Sequence, residues 1–247
     1  MKVGVLALST TKDREWKSIK ETYLYEIFLK SFLTTYCQNH EYVIYVGIDK
    51  DDRIYSNPDE LLVINKFISI MKNVTIEFIV MDDIPPGWLT RMWSKLMDIA
   101  YDNNCDYFYQ CGDDVKFQHK GWVSASIDVL QNNNDIGLTG PLDLGRMNYG
   151  ADSCPGGSLF LQTQSFVSKK HKEIFGYFFP PQIKNWYCDD WITHLYYPKY
   201  FYIIKDKYVI NCGGKPRYDI IENVKGLEER LVARDSKKLR KYIQTNK

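Results

Sequence analysis

Tyr107-Phe108-Tyr109-Gln110-Cys111-Gly112-Asp113-Asp114-Val115 decides both the fold and the site. An apolar, aromatic-rich run that stops at turn-forming residues reads as a buried strand. A buried strand that runs into two consecutive aspartates has a specific physical use. A hard divalent cation takes oxygen ligands from a few carboxylates and completes its shell with substrate phosphates and water. Consecutive aspartates also turn a chain or cap the next segment, and on these residues alone both uses stand.

Similar runs precede it, from Lys2 to Leu8, Tyr42 to Ile48 and Val74 to Val80. Each ends in a polar cluster: Ser9-Thr10-Thr11-Lys12-Asp13-Arg14, Asp49-Lys50-Asp51-Asp52-Arg53, and Asp82-Asp83. Helical spacing lies between them, with Trp16, Ile19, Tyr23 and Ile27 on one face and further helices from Thr90 to Tyr101 and from Trp122 to Leu130. Strands alternating with helices imply right-handed crossovers and a mostly parallel α/β sheet whose carboxyl-terminal rim gathers the polar clusters.

After about Asn134 the pattern changes to short strands and turns, with Gly140-Pro141, Pro155-Gly156-Gly157 and the aromatic stretch from Phe175 to Tyr187. A second acidic pair, Asp189-Asp190, follows Asn185-Trp186-Tyr187-Cys188. Two acids here either cap a helix or do acid–base work, since an attacking hydroxyl must surrender a proton to a nearby carboxylate. Trp186, Tyr187 and Trp191 either offer flat faces to a sugar ring or belong to the core. The tail from Leu227 to Ile243 carries a helical apolar spacing among many lysines and arginines, which predicts a solvated helix.

The 247 residues are 45% hydrophobic, enough for one large α/β domain. Thirty-two basic against thirty-one acidic residues leave a net charge of +1, so no global field recruits nucleic acid. No run reaches the roughly 18 apolar residues of a transmembrane helix. Met1 to Leu8 is too short an apolar stretch for a signal peptide, which predicts a cytoplasmic protein. The six cysteines contain no C-x-x-C pair and are expected as free thiols. No G-x-x-x-x-G-K-[ST] is present, which excludes a P-loop.

An apolar strand, then Gly112-Asp113-Asp114-Val115, then Gly121-Trp122 resembles the DXD-bearing strand end of GT-A type glycosyltransferases. The likeness extends over about residues 1 to 220 at motif level. It implies one Rossmann-like GT-A domain over 1–225, with a mostly parallel mixed central sheet flanked by helices. About 1–120 would form the nucleotide-sugar-binding half and about 121–225 the acceptor-binding half, followed by a basic C-terminal helix at 226–247. By the same resemblance Asp114 binds Mn2+ or Mg2+, and Asp113 sits beside the ribose or reaches the metal through water. Gly112 stands where the family's first acid is usual, and Asn211-Cys212-Gly213-Gly214 where a late histidine often completes the metal shell. Asp190 matches the catalytic base of inverting members, with Asp189 its neighbour. Ser9, Thr10, Thr11 and Arg14 match the first-strand loop that meets base and diphosphate. Asp49 or Asp51 matches the contact to uracil or ribose, and Arg91 the helix that lines the nucleotide.

The resemblance implies a hexosyltransferase-class enzyme that moves a sugar from a nucleotide diphosphate sugar, UDP-sugar first, to a glycan or other hydroxyl acceptor. Two other classes use the same residues: a metal-dependent phosphate-transfer or hydrolytic enzyme, and a non-catalytic sugar-binding protein of the same fold.

Overall fold

The structure is a computed structural model and describes residues 1–146, 161–213 and 225–246. Its centre is a five-stranded sheet in the order β3-β2-β1-β4-β7. The strands are β1 (Lys2–Ser9), β2 (Glu41–Ile48), β3 (Val74–Val80), β4 (Tyr107–Gly112) and, after β5 (Val115–Phe117) and β6 (Leu142–Asp143), the short β7 (Phe166–Ser168). The first four run parallel and β7 pairs antiparallel with β4. Leu8 lies level with Gly112, and Ser9 with Ile48, so the polar segments after β1, β2 and β4 leave the sheet side by side.

Alternation along β1 sorts the core. Val3, Val5 and Ala7 face one apolar cluster and Leu6 and Leu8 the other, as a period of two requires of a strand buried on both faces. The first cluster takes Phe28 and Phe32, then Ile64 and Ile68 of α2 (Pro58–Ile68), and Trp122, Val123 and Ile127 of α4 (Trp122–Gln131). The second takes Trp93, Leu96, Met97 and Ala100 of α3 (Leu89–Asp102), Phe175 of α5 (Lys169–Phe175), Trp191, Ile192 and Leu195 of α6 (Cys188–Tyr196), and Leu231 and Leu239 of α7 (Lys225–Thr245).

The first helical segment differs from the expectation. Ile19–Glu21 is a single 3₁₀ turn, and the continuous helix starts as a π-helical stretch at Leu24–Leu29 that runs into α1 (Lys30–Thr35). Thr22 separates the two: its hydroxyl donates to the Ile19 carbonyl and accepts from the Tyr25 amide, so it closes one turn and caps the next. Trp16 therefore lies outside the helix and packs edge-on against Tyr23.

The tail is also corrected. α7 is half buried, because Glu228 and Asp235 as well as Leu231 and Leu239 face inward. Glu228 bonds His194 of α6 at 3.0 Å, and Asp235 accepts from the Tyr177 hydroxyl at 2.8 Å and from Arg234 and Lys238. Desolvation acts to raise the Asp235 carboxyl, but these donors prevail and hold it below its ordinary range. Charge on α7 thus serves docking on one face and solvation on the other.

A three-stranded sheet in the order β5-β8-β6, with β8 at Tyr208–Asn211, lies beyond the end of β4. Val115 pairs with Asn211 across its antiparallel half, and Cys212 donates its amide to the Asp114 carbonyl at 2.9 Å. This small sheet brings the segment after residue 208 beside the aspartate doublet. Pro155-Gly156-Gly157, Cys154 and residues 214–217 lie outside the described residues. The five described cysteines are free thiols, and no described helix is long and apolar enough to cross a membrane.

Candidate active site

A cleft of about 900 Å³ opens at the carboxyl ends of the parallel strands. Open α/β sheets bind ligands there, at the point where strand order reverses, and here that reversal lies between β1 and β4. Its wall takes Ser9, Thr10, Thr11 and Arg14 after β1, Asp49 and Asp51 after β2, Asp114 after β4, and Trp186, Tyr187, Asp189 and Asp190 at the start of α6. Residues from four sequence regions, Ser9 and Asp190 being 181 positions apart, are thus neighbours in one hollow.

The first-strand loop is held by a residue that sequence reasoning passed over. Asp52 is buried and accepts from the Thr11 amide at 2.7 Å, the Thr11 hydroxyl at 2.8 Å, and the Ile54 and Tyr55 amides at 3.1 Å each. One carboxylate therefore ties the loop after β1 to the turn after β2. Its signal in the sequence is an aspartate whose side chain bonds the amides two and three residues ahead, the habit of an Asx turn; the pairing with Thr11 has no local signal.

Ser9 donates to Asp113 at 2.6 Å. A hydroxyl carries one proton, so the Tyr55 hydroxyl, 2.6 Å from Ser9, is the donor to Ser9. The chain Tyr55 to Ser9 to Asp113 is buried throughout. Desolvation first, and the Asp113 charge second, push the Tyr55 phenol upward, so it stays protonated and donating. Asp113 is 0% exposed and is not among the residues of the cleft wall, whereas it was expected beside the ribose or the metal. Ser9 is a buried clasp that holds it.

Arg14 stands at the cleft with its guanidinium 5.1 Å from the Tyr23 ring centroid and 5.5 Å from that of Trp16. Such stacking fixes a cation without neutralising it, and its Nε has no hydrogen-bond partner among the described residues. Arg91, expected to line the nucleotide, is exposed, lies 3.9 Å over the Trp88 ring, donates to the Pro181 carbonyl, and is not among the residues of the cleft wall.

Asp114 is half-buried on the wall, and its carboxylate fits between two glycines. A Cβ on Gly112 would approach its Oδ1 to 2.5 Å, and one on Gly213 its Oδ2 to 1.7 Å. Asn211 lines the same wall, its side-chain oxygen accepting from the Gly213 amide at 2.9 Å. No cluster of three or more His, Cys, Asp or Glu side chains suited to a metal occurs among the described residues. His194 is engaged with Glu228 instead. Cys111 and Cys188 are buried, and desolvation raises both thiols well above their usual range, so neither supplies a thiolate. Beside Gly213 the described oxygen donors are the Asp114 carboxylate and the Asn211 amide oxygen, a pair that suits a hard cation that keeps waters and substrate oxygens in its shell and does not suit zinc.

Asp189 and Asp190 open α6, where the helix dipole favours negative charge. The preceding Tyr187 adopts a left-handed φ of 69°, a costly conformation for an aromatic residue and one found at functional sites. Trp186 is 43% exposed at the cleft, an unusual setting for so large an apolar surface. Trp191 is the opposite case: 0% exposed, packed among Phe175, Tyr177, Phe179 and His171, it is core and presents no face to a ligand.

No protein-family model matches the sequence, and a search of curated proteins returns no match. Comparison with solved structures does find neighbours. S. aureus TarS residues 1–349 in complex with UDP superposes with a TM-score of 0.59 at 14% identity, over 95% of this chain and 65% of that one. The same TarS fragment in a second structure gives 0.55 at 14% identity, over 100% of this chain and 74% of that one. The longer S. aureus TarS gives 0.56 at 13% identity, over 95% and 43%. The fold is GT-A. This chain spans a little under two thirds of the UDP-bound TarS fragment, and the GT-A core is the part that the two share.

Proposed function

We propose that this chain is a glycosyltransferase that moves a sugar from a nucleotide diphosphate sugar to a hydroxyl acceptor. The observation that carries the reading is the meeting, in one cleft at the strand ends of a GT-A fold, of a cradled acid (Asp114), a stacked cation (Arg14) and an acidic pair at a helix start (Asp189, Asp190). UDP is the nucleotide of choice because a GT-A neighbour was solved in complex with it.

Asp114 would hold Mn2+ or Mg2+ with the Asn211 amide oxygen alongside, and the bound cation would neutralise charge that grows on the departing diphosphate. Arg14 meets that diphosphate from the other side with a guanidinium kept rigid by Trp16 and Tyr23. Ser9 and Thr11, clamped through Asp113 and Asp52, hold the loop at a fixed height above the sheet so that the nucleotide enters a pre-formed seat. Asp190 takes the proton from the acceptor hydroxyl as it attacks the anomeric carbon, and Asp189 sits beside it. Trp186 and Tyr187 provide the surface for an acceptor ring.

Two measurements separate this reading from a hydrolase or a scaffold. Mn2+ with UDP should raise the melting temperature of the wild-type protein, because a ligand that binds only the native state stabilises it by mass action. Asp114→Ala should abolish that metal-dependent rise, whereas Asp190→Asn should keep it and lose turnover by several orders of magnitude. Absence of any shift with nucleoside diphosphates sinks the proposal. UDP-sugar turnover to free sugar alone, across a panel of acceptors, favours hydrolysis.

A further inference from the structure

We infer that Gly213 and Gly112 are positioning residues that set the direction of the Asp114 carboxylate, so that the cation site is tuned from a strand end almost a hundred residues away in sequence. The inference rests on the proposed role of Asp114 as metal ligand. It goes beyond it in assigning the orientation of that ligand to two residues that have no side chain.

The geometry is asymmetric. A methyl group at Gly213 would sit 1.7 Å from Oδ2 and 2.7 Å from Cγ of Asp114, and one at Gly112 would sit 2.5 Å from Oδ1. Real Cβ atoms essentially never approach within 3.0 Å, so something must move, and the atoms met first are the terminal atoms of the Asp114 side chain. The backbone around them is fixed: Cys212 donates to the Asp114 carbonyl, Val115 pairs with Asn211, and the Gly213 amide is held by the Asn211 side chain. A Cβ therefore turns the carboxylate and leaves the strands in place. Neither glycine has the left-handed φ that would require glycine for backbone reasons, so the space beside Asp114 is what their missing side chains provide. Residues that aim a metal ligand without touching the metal typically change metal affinity by about 10–100-fold when altered.

The test is Mn2+ titration by calorimetry in the presence of UDP, with wild type, Gly213→Ala, Gly112→Ala and Asp114→Ala, and with UDP binding in chelator as a second readout. Gly213→Ala should weaken Mn2+ at least about tenfold, with metal-free UDP affinity and the melting temperature of the metal-free protein close to wild type. Gly112→Ala should give a smaller loss, since its contact is longer. Mn2+ affinity within twofold of wild type in Gly213→Ala overturns the inference. Should Gly213→Ala fail to fold, Gly112→Ala decides by the same criterion. If the wild type itself binds no Mn2+ with UDP, the metal role of Asp114 falls and this inference falls with it.

Discussion

Asp52 offers the sharpest test of how the donor side is built. Its carboxylate is buried and accepts four hydrogen bonds, three of them from backbone amides of Thr11, Ile54 and Tyr55. In Asp52→Ala those three amides lose their acceptor inside the protein, each at about 1–1.5 kcal/mol, which puts the loss of stability at about 3–4.5 kcal/mol. That is a large share of the roughly 5–15 kcal/mol by which a domain is stable. Asp52→Asn is the finer probe. Its oxygen can replace Oδ1, which serves the Thr11 hydroxyl and the Ile54 and Tyr55 amides, but its NH2 then faces the Thr11 amide donor to donor. The expected cost is about 1.5–3 kcal/mol, concentrated in the β1 loop. Urea unfolding measures the global loss, and UDP titration measures the loop: Asp52→Asn should weaken UDP binding although Asp52 is not placed as a ligand. Asp52→Ala within about 0.5 kcal/mol of wild type would refute the reasoning.

Three further outcomes are expected. Burial pushes the His171 imidazole down to about 4, with Tyr196 and the Phe178 carbonyl bonded to its two nitrogens. The unfolded chain takes up the proton near 6.5 and the folded one only near 4, so stability held above pH 6.5 drains as pH falls toward 4, by about 3 kcal/mol in all; His171→Gln should flatten that slope in pH-dependent unfolding. Trp191→Ala should cost about 3–5 kcal/mol as a cavity in the core, whereas Trp186→Ala should leave stability within about 0.5 kcal/mol and raise the acceptor KM; a reversed pattern in melts and kinetics would show that the two tryptophans had been misassigned. Asp235→Ala should cost about 1–3 kcal/mol at neutral pH. Because its folded carboxyl lies below its ordinary range, the wild-type advantage should persist above about pH 4 and disappear as acid protonates it.

The parallel sheet was legible because strand and helix periods differ and each strand of this chain ends in a polar cluster. The cleft followed from topology, which sends those ends to one rim. What escaped is whatever depends on contacts between distant segments. Nothing near Asp113 announces that Ser9 will hold it below the wall. Nothing near Arg91 announces that the Pro181 carbonyl, ninety residues on, will accept from its Nε. Trp186 and Trp191 are five residues apart and equally aromatic, yet one is exposed and the other is core, because Trp186 lies before α6 begins at Cys188, whereas Trp191 sits within α6 and packs on His171 and Phe175 of α5. The π-helical start at Leu24 escaped for a local reason: Trp16, Ile19, Tyr23 and Ile27 keep helical spacing across a break made by one threonine hydroxyl.

The pairing of Val115 with Asn211 bears on the order in which the molecule is completed. Loop closure across nearly a hundred residues is slow compared with local helix formation. The parallel strands β1 to β4 are all in hand once residue 112 has emerged, but the far wall of the cleft waits for Tyr208–Asn211. A chain halted before that strand would carry its nucleotide loop without Asn211 or Gly213 beside Asp114. Asp114 would then gain these neighbours last, as one of the final events of folding.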